Sequence, residues 1–215
     1  MKSVYILCEG QTEERFVNNI LYDFFILKNI CLIPIIIATK RTVNRKDKGG
    51  ITSYGQIKRD LNILCRQHPH ERITTMIDYY RLPADTPGIN SRKSLLYERI
   101  EDIEESIFTD INCANLTCYL STHEFEALLF AEPDAFEIVA NRQAVRNLHD
   151  AKGGFESAEH INKSPLTAPS KRIENEVPNY SKVLHGVTIA SNIGLTKMRR
   201  ECRHFNDWIE KMLAM

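Results

Sequence analysis

At 215 residues the chain has the length of one large domain, or of a domain with a smaller extension. Its 43% hydrophobic and 26% charged residues are those of an ordinary globular protein, and no apolar run approaches the roughly 20 residues that a membrane span needs. The formal net charge of zero excludes polycation character for the molecule as a whole and makes charge a local matter.

The N-terminus passes from one lysine directly into apolar residues with no small-residue cleavage site, so a cytoplasmic location and no membrane partner are expected. Cysteines at 8, 31, 65, 113, 118 and 202 form no CxxC pair, which argues against structural zinc or a disulfide framework.

Ser3 to Cys8 reads as a first strand, and it delivers Glu9 to its C-terminal end before Gly10 turns the chain. Thr12 is placed to cap a helix carrying Phe16, Ile20, Phe24 and Leu27 at helical spacing. Cys31 to Thr39 is a second strand, with Pro34 inside an apolar run. A basic loop follows over 40–52, holding Lys40, Arg41, Arg45, Lys46 and Lys48. Tyr54, Ile57, Leu61, Leu64 and Cys65 mark a second helix, and Arg72 to Asp78 a third strand that ends on an acid. Leu95, Leu96, Ile100, Ile103 and Ile107 mark a third helix, whose acidic stretch (Glu98, Glu101, Asp102, Glu104, Glu105) reads as a solvated face. Leu116 to Leu120 is a fourth strand, and Thr122 to Phe130 a fourth helix.

This unbroken β-α alternation predicts an α/β fold: a parallel four-stranded sheet over residues 1–132, with helices on both faces. Residues 133–215 carry no strand signal and read as a helical region packed on that core, with loops at Gly153-Gly154 and 163–170. In its last segment Leu195, Met198, Cys202, Phe205, Ile209 and Met212 alternate steps of three and four. That stripe must be buried, either on the core or in the seam of a homodimer.

Three acidic groups fall at strand ends: Glu9 with Glu13, Asp78, and Glu124 with Glu126 beside His123. In a parallel sheet these ends share one edge, where ligands bind. Carboxylates that converge there repel one another unless a cation intervenes, and hard oxygen donors suit Mg²⁺ or Mn²⁺. Each acid also has a plainer role. Glu13 sits where a helix dipole favours an acid, Ser121-Thr122-His123-Glu124 fits a capping box, and a strand-end Asp is common. The phosphate-facing candidates are Arg45, Lys46 and Lys48, and Ser170-Lys171-Arg172, with Lys182 a weaker one. A lysine beside the acids would stabilise charge on a transferring phosphoryl group. No P-loop, dinucleotide fingerprint, GxSxG elbow or HExxH motif is present in the sequence.

The runs Glu9-Gly10-Gln11-Thr12-Glu13, Asp78-Tyr79-Tyr80-Arg81-Leu82-Pro83 and His123-Glu124-Phe125-Glu126 resemble a bacterial family, domain of unknown function 4276, with a Toprim-like core. So do Pro169-Ser170-Lys171-Arg172 and the Cys202, His204-Phe205, Trp208 ending, so the resemblance spans essentially the whole chain. It implies a partner ATPase of the ABC or AAA type, and a likeness to the Toprim nucleases of overcoming-lysogenization-defect proteins, commonly in phage defence. By that likeness Glu9, Asp78 and Lys171 would be catalytic. Glu9, Glu13, Asp78, Glu124 and Glu126 would hold one or two Mg²⁺ or Mn²⁺ ions. Arg45, Lys46, Lys48, Tyr80 and Arg172 would contact a nucleic acid, DNA or RNA. The chain departs from the Toprim pattern at Tyr80, where an Asp-x-Asp would carry its second acid. The expectation is therefore a metal-dependent nuclease, with a non-catalytic docking module for the ATPase as the alternative, and hydrolysis of a small nucleotide as a third.

Overall fold

A computed structural model describes residues 1–38, 50–162 and 164–214. Strand β1 (Lys2–Cys8) leads into helices α1 (Gln11–Phe16) and α2 (Tyr22–Ile26), joined by a π-helical turn over Val17–Leu21. Strand β2 (Ile30–Ile36), helix α3 (Tyr54–Gln67), strand β3 (Arg72–Asp78) and helix α4 (Leu96–Ile111) follow. Two short strands, β4 (Leu116–Thr117) and β5 (Leu120–Ser121), come next, then 3-10 helices over Phe125–Ala131 and Pro133–Ile138. The remainder is helical: α5 (Arg142–Gly153), α6 (Pro169–Glu176), a π-helical turn (Lys182–Gly186), α7 (Val187–Ile193), α8 (Leu195–Glu201) and α9 (Arg203–Leu213).

All described strand pairs are parallel, in the order β2-β1-β3 with β4 and β5 side by side along β3. This is the expected α/β architecture. Alternation along β1 separates the two faces. Val4, Ile6 and Cys8 enter a core shared with α1, α2 and the C-terminal helices. Leu7 enters a second core against α3 and α4. The stripe at Met198, Cys202, Phe205, Ile209 and Met212 is buried in the first core.

Four local expectations are revised. The first helix begins at Gln11 rather than after Thr12, because Glu13 Oε2 accepts the Gly10 N–H at 2.9 Å and so satisfies the helix start from within. The fourth strand is broken at Cys118-Tyr119. There Thr75 Oγ1 accepts the Tyr119 N–H at 2.8 Å and donates to Tyr119 O at 2.7 Å, replacing the ladder with side-chain bonds. The fourth helix is 3-10 and starts only at Phe125, because Tyr79 and Tyr80 donate to Ser121 O and His123 O and His123 is held at a positive φ that no right-handed helix continues. The last helix is two helices, with Cys202 extended between them.

The break before α9 is held by two buried acids. Glu159 accepts the His204 and Phe205 N–H groups, both at 2.9 Å, and so caps α9 from another segment. Glu104 accepts the Leu120 N–H at 2.7 Å and bonds His204 Nε2 at 2.9 Å, so it is not part of a solvated face. Tyr119 stacks on Trp208 with centroids 4.3 Å apart, and Trp208 Nε1 donates to Thr74 Oγ1.

Burial lowers the affinity of His204 for a proton, but the hydrogen bond and charge of Glu104 outweigh it, and the net shift is upward from 6.5. A raised histidine pKa contributes stability that is fully present below the ordinary value and lost as pH rises through the folded one. His204→Ala is therefore expected to lower unfolding free energy by about 3 kcal/mol at pH 6, the range for breaking a buried pair. The deficit should be smaller at pH 9, and urea denaturation at both pH values measures the difference.

Candidate active site

Register places the acids together. Cys8 pairs with Met76, so Glu9 emerges from β1 one step before Asp78 ends β3. Asp78 pairs in turn with Ser121, so Thr122-His123-Glu124 leave β5 at the same edge. All three strand ends open at the C-terminal edge of the parallel sheet, the side where such sheets bind ligands.

The carboxylates then bind one another's backbone in sequence. Glu9 Oε2 accepts the Asp78 N–H at 3.1 Å. Asp78 Oδ1 accepts the Phe125 N–H at 2.8 Å. Glu124 Oε2 accepts the Ser170 N–H at 3.0 Å, at the start of α6. Glu124 thus caps a helix, but a distant one rather than its own. With the Glu13–Gly10 bond, four acids each commit one oxygen to a backbone donor and retain a second oxygen for other use.

Lys182 completes the group. Its Nζ lies 2.7 Å from Glu126 Oε2 and 3.8 Å from Asp78 Oδ2. Glu126 is fully buried, and its Oε1 has no hydrogen-bond partner among the described residues. Burial raises the pKa of Glu9, and it raises Asp78 well above the carboxylate range despite Lys182. Burial with the neighbouring Glu9 charge pushes Glu13 up to about 7, and burial pushes Glu126 up to about 7 against the pull of Lys182. For Lys182, burial works against the charge, but Asp78 and Glu126 prevail and its pKa rises. The cluster holds more carboxylates than one ammonium neutralises, and their pKa values are raised accordingly.

The other expected site residues lie elsewhere. Lys171 Nζ pairs with Glu174 Oε2 at 2.5 Å on the surface, while it is the backbone of its neighbour Ser170 that meets the acids. The lysine at the acids is Lys182. Arg172 donates to Thr167 O at 2.9 Å and lies over the Phe155 ring. Tyr80 is held by its backbone N–H on His123 O, with the Arg81 guanidinium over its ring. Arg45, Lys46 and Lys48 lie outside the described residues. His123 has a positive φ of 63° and a buried Nε2 without a hydrogen-bond partner among the described residues, and burial lowers its pKa to about 4.

The donor set suits a hard divalent cation: five carboxylates, several with an oxygen to spare, and one with a buried, unpartnered oxygen. Among the described residues no three such side chains already stand at ligand spacing. Separate backbone donors hold the acids, and Lys182 lies between Asp78 and Glu126. Fit is in donor chemistry, and ligation requires the spare oxygens to turn inward.

A family model described as domain of unknown function (DUF4276) matches residues 8–213, so the chain belongs to that family. No curated protein matches it. Among solved structures it is similar to the C-terminal region of the OLD protein of Xanthomonas campestris pv. campestris, at 13% identity and a TM-score of 0.39, over 98% of this chain and 95% of the other. No helix among the described residues is long and apolar enough to cross a membrane.

Raised carboxylate pKa values contribute stability that is fully present below the ordinary 4.5 and lost as pH rises through about 7. In chelator-treated protein the melting temperature is accordingly expected to fall between roughly pH 5 and pH 8. Glu126→Gln should remove part of that fall, since it deletes one of the raised titrations; calorimetric melting across the range is the measurement.

Proposed function

We propose that the protein is a Mg²⁺- or Mn²⁺-dependent nuclease that hydrolyses phosphodiester bonds of DNA or RNA, as the effector of an ABC-type or AAA ATPase. The observation that carries this is the gathering of Glu9, Glu13, Asp78, Glu124 and Glu126 around Lys182 at the C-terminal edge of the sheet. The likeness of the Glu9–Glu13, Asp78–Pro83 and His123–Glu126 runs to a Toprim-like core supports a nucleic-acid substrate, as does the basic sequence run of Arg45, Lys46 and Lys48.

When bound, the divalent ion would supply a nucleophilic water at neutral pH and charge for the departing oxygen. The chain's own part is orientation and electrostatics. Glu9, Glu13 and Asp78 offer the oxygens nearest the β1 and β3 ends, and Glu124 and Glu126 those beyond β5. The backbone bonds of Glu9, Asp78 and Glu124 fix those side chains before substrate arrives, which lowers the cost of ordering the site. Lys182 Nζ is the cation placed to meet developing phosphoryl charge, the role expected of Lys171.

One observation favours a second reading, a non-catalytic docking module for the ATPase: Lys182 already neutralises part of the charge on Asp78 and Glu126. Calorimetric titration with Mn²⁺ separates the two. Wild type is expected to bind at micromolar affinity and Asp78→Asn, which keeps an acceptor for the Phe125 N–H, to lose that binding. Cleavage of DNA or RNA in the presence of the ATPase should fall at least about 100-fold in the same variant, the scale of losing one electrostatic element of a site. No binding would overturn the metal-dependent reading and select the docking module, and binding without cleavage of either polymer would overturn the nuclease while keeping the metal site.

A further inference from the structure

Lys182 is not an incidental surface lysine. It opens the π-helical turn Lys182–Gly186, which is closed by the His185 and Gly186 N–H groups on Ser181 O and by the Ser181 N–H on His185 Nδ1. The turn is pressed against the 3-10 helix that carries Glu126. A Cβ built on Gly186 would stand 2.9 Å from the Tyr180 hydroxyl and 3.3 Å from Phe125 Cε1, so any larger residue would have to displace Tyr180 from this close seat. From this seat Nζ reaches Glu126 Oε2 at 2.7 Å and Asp78 Oδ2 at 3.8 Å.

We infer that the site takes one divalent ion per chain, and that the Lys182 ammonium occupies the position a second ion would fill between Asp78 and Glu126. This rests on the metal-dependent reading above. Three observations support it. The ammonium stands between two carboxylates that would otherwise need another cation, because buried charges are paired or they protonate. A second ion placed on the same two oxygens would meet an ammonium at contact distance. The buried Glu126 Oε1 has no partner among the described residues, which calls for one further cation beside the ammonium.

The consequence is a matter of stoichiometry. Mn²⁺ titration, followed by calorimetry and by the loss of the free-ion electron paramagnetic resonance signal, is expected to give one ion per wild-type chain. Lys182→Met should give two, with the spin–spin broadening of neighbouring Mn²⁺ ions. Lys182→Arg, which keeps the charge, should remain at one. Lys182→Gln repeats the neutral test should the methionine variant fail to fold. Two ions in wild type, or one ion in both neutral variants, would overturn the inference while leaving a metal-dependent site in place. No ion in wild type or any variant would overturn the underlying reading, and the inference with it.

Discussion

Buried carboxylates that accept backbone N–H groups from distant segments organise this structure. Glu9 holds the end of β3, Asp78 the start of the 3-10 helix, Glu124 the start of α6, Glu104 the start of β5, and Glu159 the start of α9. Asp60 does the same for Ala38 beyond β2. Each bond satisfies a donor that secondary structure leaves open. Together they tie the sheet edge to the C-terminal helices, and in doing so they desolvate the acids. The unusual protonation behaviour at that edge follows from how the fold is closed.

The same residues therefore carry structural and chemical duties that simple truncation would confuse. Removing Asp78 entirely would free the Phe125 N–H as well as delete a charge. An amide in its place keeps an acceptor and deletes only the charge. Lys182 shows the converse. Its charge offsets part of what burial costs Asp78 and Glu126, so the ammonium contributes both to keeping the edge folded and to the field at its mouth.

What the sequence made legible follows from range. The Arg72 to Asp78 strand stands where its apolar run and terminal acid put it, and the two-faced burial of β1 follows from residue alternation. Convergence of Glu9, Asp78 and Glu124 at one edge followed from parallel pairing alone. Long-range choices were not legible. Lys171 and Lys182 are both followed by apolar or helical residues, and only the path of the chain between α6 and α7 brings the second to the acids. Glu104 was readable in hindsight: it shares a helix face with Ile100, Ile103, Ile107 and Ile111, all buried. Glu126, set in the apolar run from Phe125 to Ala131, carried the same signal. The break at Cys202 left no mark in periodicity, because two short helices in one stripe keep the same spacing.

Both ends of the strand order are poor templates for another chain. β2 carries Pro34 midway along its length, opposite Ile6, and a proline has no N–H to offer an incoming strand. At the other end β4 and β5 are two residues each, separated by Cys118-Tyr119, where the Tyr119 N–H and C=O are bonded to Thr75 and Trp208 stacks over the Tyr119 ring. Short, interrupted or proline-bearing edges resist edge-to-edge pairing. Self-assembly by sheet extension is thereby disfavoured at each flank, and the interrupted fourth strand, an irregularity within one molecule, acts between molecules as protection against aggregation.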